Sequence, residues 1–452
     1  MPPPSPHKPS PALRVSARGL LRRRSLWLTS ALTVGLLSFV LSLLYLGANN
    51  DPVGSLKDLP VALVVEDRGA EVGGKHVDLG AQVAEQITAS SQLEDKVAWQ
   101  RVDRAAADEL LDSNKVYGAL VIPEDFSASV AALAGPVQNR PHPPAMTVLT
   151  NPAAGSFGSS MAAEINREVV HTTSTQLGER LTALLSKRSA HAATAAKPGA
   201  AAQLMIADPI TVTVEEGHPL GDHSGLGLSA FFYTLVLVLG GMLGANVIHA
   251  QLDTALGYLA HETGPIRRTR PVQHISRVRH FAVATVLMTV VSALTSALAL
   301  LAAVGVVGID AAHLTQLWFF GTCATAAMGI TALALLATFG APGPIVSMLV
   351  LIGLAIPSAG ATIPLEALPG FYRFLADFEP FRQVVDGVRS ILYFDAQAEA
   401  GLGRAWAMTG FGFALSLLGG LAVTRFYDRK GLHRVAPDTP APRPAPEPLP
   451  VS

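Results

Sequence analysis

One cysteine, Cys323, in 452 residues excludes a disulfide, a CxxC redox pair and a thiolate metal site. Charge is scarce: 15% of residues are Asp, Glu, Lys or Arg, against 50% hydrophobic, which is the balance of a polytopic membrane protein. The net charge of −1 leaves no basic surplus to draw a polyanion, so no nucleic-acid partner is expected. Residues 1–11 and 436–452 are Pro-rich with almost no large apolar side chains, and both ends are expected to be disordered. Arg outnumbers Lys, and Ala, Gly and Pro are abundant, which points to a GC-rich bacterial genome.

What the chain has is apolar runs in an uneven layout. They fall at 26–48, 226–249, 281–307, 314–338, 344–361 and 405–425. Crossing a hydrocarbon core takes roughly 20 apolar residues, so the run at 344–361 is the marginal one. Lys8, Arg14, Arg18, Arg22, Arg23 and Arg24 precede the first run with no acid among them, which sets 1–25 in the cytoplasm. Alternation from there puts 49–225 outside, the Arg-rich loop of residues 250–280 inside, and 429–452 back in the cytoplasm. The fold class expected is a polytopic α-helical membrane protein of the bacterial plasma membrane with six transmembrane helices, one plus five. An α/β extracytoplasmic domain is inserted after the first helix, and the five later helices make up a membrane domain over 226–428. A cleaved signal peptide competes for the first run, but its core is long for an h-region and no A-x-A site follows.

Inside 49–225, short β-type runs at 60–67, 97–102, 116–122, 146–150 and 209–214 alternate with helical patterns at 79–90, 104–111 and 156–185. That alternation suggests a small βαβ-type sheet with the long last helix projecting. Gly69 to His76 (GAEVGGKH) matches the phosphate-cradling G-x-x-x-x-G-K loop except where Ser or Thr must hold magnesium. His76 cannot do that, so the segment is read as a turn and nucleotide binding is rejected. No cofactor, metal-ligand cluster or nucleophile–base pair stands out, and an enzyme is not expected.

The runs carry no Asp, Glu, Lys or Arg in their interiors. Thr285, Thr289, Ser292, Thr295, Ser296, Thr322, Thr325 and Thr331 are read as helix-packing and backbone-bonding positions. A proton relay needs an ionisable group within the membrane, so energy for uphill transport is expected from another subunit. In the last outer loop Val384, Val385, Val388, Ile391 and Leu392 form one helical face, while Arg382, Asp386 and Arg389 form the other. That pattern marks an outer-interface helix, its charges read as a solvated face.

Three pieces of the outer domain, Val64 to Gly69 (VVEDRG), Leu79-Gly80 and Tyr117 to Ser127 (YGALVIPEDFS), together with the one-plus-five layout, resemble the YhgE/Pip family. That family is related to the type-two ABC exporter membrane domain. Residues 364–392, with Pro380-Phe381-Arg382 and Gly387-Val388-Arg389, resemble the outer end of type-two ABC permeases. The resemblance implies an ABC-type exporter permease whose six spans form half a pathway. The partners it implies are the lipid bilayer, a second copy or related permease, and a separate ABC ATPase. Docking of that ATPase is expected on the loop between the second and third runs. There Gln273, Ile275 and Val278 would lie on a short helix over 272–278, beside Arg267, Arg268 and Arg270. Orientation and lipid-phosphate contact are the competing account of those arginines. A receptor or envelope scaffold acting through the outer domain is the alternative to export.

Overall fold

The computed structural model describes residues 22, 24–72, 74–91, 93, 95–134, 142–191, 206–268 and 270–432. Lys8, Arg14, Arg18, Arg23, Thr269 and both Pro-rich ends lie outside the described residues. The chain divides at Asn50 into two compact units. The first contains helix α1 (Arg24–Ala48), whose Trp27, Leu28, Leu32, Leu36 and Phe39 are all exposed. A helix with apolar side chains turned outward to this extent is matched to lipid rather than water.

The second unit opens with an α/β domain. Its elements are β1 (Leu59–Val65), β2 (Ala70–Val72), β3 (Lys75–Val77), α2 (Leu79–Thr88), β4 (Val97–Val102), α3 (Arg104–Asp112), β5 (Gly118–Ile122), α4 (Phe126–Ala134), β6 (Ala145–Thr150), α5 (Ser156–His191) and β7 (Thr211–Glu216). The main sheet has the order β4-β1-β5-β6-β7. β1 runs parallel to β4 and β5, β6 is antiparallel to β5, and β7 is parallel to β6. β1 and β5 are central and covered on both faces, hence their unbroken apolar sequences. Leu63, Leu120, Ile122, Met146 and Val148 pack under α2, α4 and α5. Ala62, Val64, Ala119 and Val121 pack under α3 through Ala107 and Leu111.

The long helix α5 does not project freely. Ala162, Ala163, Val169, Val170, Ser174 and Leu181 are buried along it, so most of its length covers the sheet. The phosphate-loop lookalike is a β-hairpin, with Glu71 opposite His76 and Val72 opposite Lys75. It does not open a helix: α2 starts after it, capped by Asp78, whose carboxylate accepts from the Ala81 N–H at 2.8 Å.

The three sequence pieces quoted for the family resemblance meet in space. The Asp67 carboxylate accepts from the Gly80 N–H and the Ser127 N–H, each at 2.9 Å, and from the Ser127 hydroxyl. Ser127 Oγ in turn accepts from the Leu79 N–H at 2.8 Å. One carboxylate thus closes the N-terminal turns of α2 and α4 against the end of β1. Burial acts to raise the Asp67 pKa, but these hydrogen bonds outweigh it and hold the carboxyl below its ordinary value. A Cβ at position 80 would lie 2.5 Å from Asp67 Cβ, which explains a glycine there.

The remaining elements are α6 (Ser229–Ala255), the hairpin β8 (His261–Thr263) and β9 (Ile266–Arg268), α7 (Arg277–Val306), α8 (Leu314–Phe339), α9 (Gly343–Ser358), α10 (Gly370–Ala376), α11 (Pro380–Tyr393) and α12 (Gly403–Arg429). Among the described residues five helices, counting α1, are long and apolar enough to cross a membrane: α1, α6, α7, α8 and the one ending in α12. At 1.5 Å per residue α9 reaches only about 24 Å, short of a ~30 Å core. It widens to π geometry at Leu349–Gly353 and stops at Ser358.

Most small hydroxyls named from the sequence bond their own helix backbone, but Thr325 Oγ1 is buried and meets no partner among the described residues. Ser292 Oγ donates to Met288 O at 2.7 Å and Thr322 Oγ1 to Trp318 O at 2.8 Å. Two of them join helices: Ser296 Oγ donates to Trp318 O at 2.9 Å, and Thr331 Oγ1 lies 2.7 Å from Ser416 Oγ. Glycine allows the close approaches. A Cβ at Gly241 would lie 2.7 Å from Thr325 O, and one at Gly329 would lie 2.5 Å from Met288 Cε.

Candidate functional site

The site is built on α11. Pro380 sets its first turn and Glu379 caps it, Oε2 accepting from the Arg382 N–H at 2.9 Å. Val384, Val385, Val388 and Ile391 are fully buried in the helical core. The opposite face is not solvated as the sequence pattern suggested. Arg382 keeps 16% of its side chain exposed, Asp386 25% and Arg389 6%, because the α/β domain and the 359–366 segment lie over them. Periodicity identifies the two faces of a helix but not what covers each.

Between α11 and the domain lies a chamber of about 400 Å³. Arg382, Asp386, Arg389 and Arg404 line it from the helical side, and Lys115 and Tyr117 from the domain. Asp386 stands 3.6 Å from Arg382 Nε and 3.8 Å from Arg389 Nη1, both loose ion pairs. Burial pushes the Asp386 carboxyl up, an effect that Arg389, Arg382 and Arg404 partly offset. Tyr117 donates its hydroxyl to Glu366 Oε2 at 3.3 Å. Burial holds the Tyr117 phenol well above its usual range, with the Glu366 charge adding to it, and burial likewise raises Glu366. The phenol therefore keeps its proton and serves as the donor to Glu366.

Arg389 Nε is buried and meets no hydrogen-bond partner among the described residues. A buried guanidinium with an unused N–H facing a cavity favours an acceptor-rich group such as a carboxylate or phosphate, which it can engage in a directional pair. Arg389→Met removes one partner of the Asp386 pair and is expected to lower the melting temperature in detergent, whereas Arg389→Met combined with Asp386→Leu, which removes both charges, is expected to recover it. A double variant no more stable than Arg389→Met would contradict the pairing.

The chamber is bridged by long-range bonds. Lys115 Nζ donates to Glu399 O at 2.8 Å, and the Lys57 N–H to Glu366 O at 2.8 Å. His218 lies 2.7 Å from Asp112 Oδ1 through Nδ1 and 2.8 Å from Tyr393 O through Nε2, stacked on Phe394. Tyr393 Oη donates to Ser224 O at 3.3 Å and accepts from the Ala230 N–H at 3.2 Å, at the start of α6.

Of the predicted site residues, the structure brings together Arg382, Asp386 and Arg389. It does not gather the loop residues on one helix, and the expected helix over 272–278 is not formed. Ser276 caps α7, its Oγ accepting from the Arg279 N–H at 3.3 Å, so of Gln273, Ile275 and Val278 only Val278 is helical. Gln273 is exposed in extended chain, with its N–H donated to Leu256 O at 2.9 Å, and Ile275 is half-buried. Arg267 and Arg268 lie on β9, Arg267 pairing with Glu262 at 3.4 Å, and Arg270 follows exposed. Sequence reasoning missed Lys115, Tyr117, Glu366 and Glu399, none of which has a local spacing signal.

An α/β domain joined by polar contacts to a bundle of apolar, lipid-suited helices defines an integral membrane protein. The family model described as "Protein of unknown function (DUF3533)" matches residues 30–411, and the chain belongs to that family. No curated protein and no solved structure matches the chain.

Proposed function

We propose that the chain is the permease subunit of an ABC-type exporter in a bacterial plasma membrane, with ATP hydrolysed by a separate subunit. In this reading α1, α6, α7, α8, the short α9 and α12 make six crossings, both termini are cytoplasmic, and the α/β domain lies outside. The chain works as a homodimer or beside a related permease, with the Arg389 chamber receiving an acidic group of the substrate or its headgroup.

The observation that supports this reading best is the tie between the α/β domain and the bundle. His218, Lys115 and Tyr117 hold α11 and its flanks, and Tyr393 holds α6, so a tilt of the helices is passed to the chamber. The opposite ends of the same helices also share bonds. Asp428 accepts from the Arg277 and Val278 N–H groups at 2.9 and 3.1 Å, and Tyr427 Oη donates to Thr338 O at 3.0 Å. At that end the hairpin exposes Ile266 beside Arg267 and Arg268, next to exposed Leu259 and Val272, a mixed apolar and basic surface suited to a docking subunit.

The test is ATP hydrolysis by the protein isolated from its own membranes in mild detergent. The expected result is an ATPase that co-purifies with the chain. Ile266→Asp and Gln273→Ala, which leave the arginines in place, should release it while the α/β domain stays folded. A preparation free of ATPase activity, with normal folding, would favour the receptor or scaffold reading.

A further inference from the structure

We infer that His249, Asp253 and His280 form a binding site for a divalent transition-metal ion between the ends of α6 and α7. The sequence reading carried the second run into the cytoplasm as a helix but named no metal ligand on it. The helix continues to Ala255, which puts His249 and Asp253 four residues apart on one face, and α7 brings His280 against them.

The geometry is that of a ligand set. Asp253 Oδ2 lies 3.6 Å from His249 Nε2, and Asp253 Oδ1 lies 3.1 Å from His280 Nε2. The two imidazoles are edge-to-face with centroids 5.2 Å apart, and one donor atom from each residue falls within 4.8 Å of the others. Bonds of about 2.0–2.1 Å in a tetrahedral zinc site place neighbouring ligand atoms about 3.3–3.4 Å apart, a spacing close to both contacts, each of which uses a different Asp253 oxygen. Asp253 and His280 are buried, with 5% and 6% exposure, so their positions are fixed by packing.

The three residues line a cavity of about 560 Å³, together with Asn246 and Thr424, which leaves room for water or an exogenous ligand in a fourth position. Arg277 also borders this cavity, but its Nε donates to Leu432 O at 2.7 Å and its guanidinium lies 5.2 Å over the Tyr427 ring. Two imidazoles and one carboxylate favour zinc, cobalt, nickel or iron(II) over calcium or magnesium. Asp253 is 23 residues beyond Ala230, about 35 Å along α6 from the Tyr393 contact, so the site is separate from the Arg389 chamber and does not rest on the export reading. A bound ion would clamp α6 to α7 at the end where the hairpin emerges.

The test uses the full-length protein in detergent, free of any polyhistidine tag and stripped with EDTA, titrated with Co²⁺ and then Zn²⁺. Expected are saturable binding of a single Co²⁺ per chain with visible d–d bands, their loss on adding Zn²⁺, and no competition by Mg²⁺. His249→Gln, at the least buried ligand, and His280→Gln should each weaken binding about tenfold or more, with the metal-free melting temperature of His249→Gln unchanged. X-ray absorption of the zinc-loaded wild type should show two imidazoles and oxygen in the first shell, a readout that does not depend on any variant folding. No saturable Co²⁺ or Zn²⁺ binding, an all-oxygen shell, or unchanged affinity in folded His249→Gln would overturn the site.

Discussion

Gly387→Leu is expected to prevent accumulation of folded protein, and Gly387→Ala to lower its stability by about 1–3 kcal/mol or more. The glycine sits where α11 crosses the bundle. A Cβ there would lie 2.3 Å from Phe320 Cζ and 2.8 Å from Ala405 Cβ. Phe320 is fully buried and meets Trp406 edge-to-face at 5.0 Å, so its ring has no free space into which to turn. An interior close-packed on both sides gives only by shifting backbone. Gly370→Ala is the control, because nothing lies within 4 Å of its added methyl. Melting temperatures in detergent read the difference. A Gly387→Ala protein as stable as Gly370→Ala would show that α11 does not pack on α8 and α12 as described.

Glu379→Gln is expected to stabilise the protein at alkaline pH and to remove a slope from its pH–stability profile. Burial is the main cause that pushes the Glu379 carboxyl up to about 7, against the Phe381 and Arg382 N–H groups and the Arg382 charge, which pull it down. Among the described residues Oε1 is buried without a partner, so ionisation would leave a charged oxygen unpaired. Because the folded value lies above the unfolded one of roughly 4.3, the folded state binds more protons between them. The Glu379 contribution to stability is therefore fully present below about pH 4.3 and is lost as pH rises through 7. Glutamine keeps the cap acceptor without the charge. By pH 8.5 the variant should exceed wild type by an amount on the order of 3 kcal/mol, with the two converging in acid. Asp386 and Glu366 shift in the same direction, so the difference between the two profiles, not the wild-type slope alone, isolates Glu379. Parallel profiles from pH 5 to 8.5 would contradict this.

Much of the fold was legible because its signals are local. The strands at 97–102 and 146–150 and the helices opening at Leu79 and Arg104 follow from β-rich runs and from Asp78 and Asp103 as caps. The apolar runs gave the long helices to within a few residues, apart from 344–361, which forms a helix too short for the usual span. The misreadings have physical causes. Val272, Ile275 and Val278 repeat at a helical interval, yet Ser276 is a better helix start than a helix interior, so the helix begins at Arg277. The GAEVGGKH segment satisfies a loop pattern while its alternating residues pair as a hairpin. Most of the chamber was not legible, because Lys115 meets Glu399 and Tyr117 meets Glu366 across sequence separations of 284 and 249 residues. The His249–Asp253 spacing was readable, but His280 as its third member was not.

The central claim is that the α/β domain and the β8–β9 hairpin lie on opposite sides of a bilayer, and cysteine accessibility tests it most directly. In a Cys323→Ala background, Ser113→Cys near the chamber, Gln397→Cys in the exposed turn before α12, and Arg268→Cys on β9 are each treated with an impermeant thiol reagent. Intact cells should label positions 113 and 397 and leave 268 unlabelled until the membrane is permeabilised. Labelling of position 268 in intact cells, or protection of 397, would contradict the account.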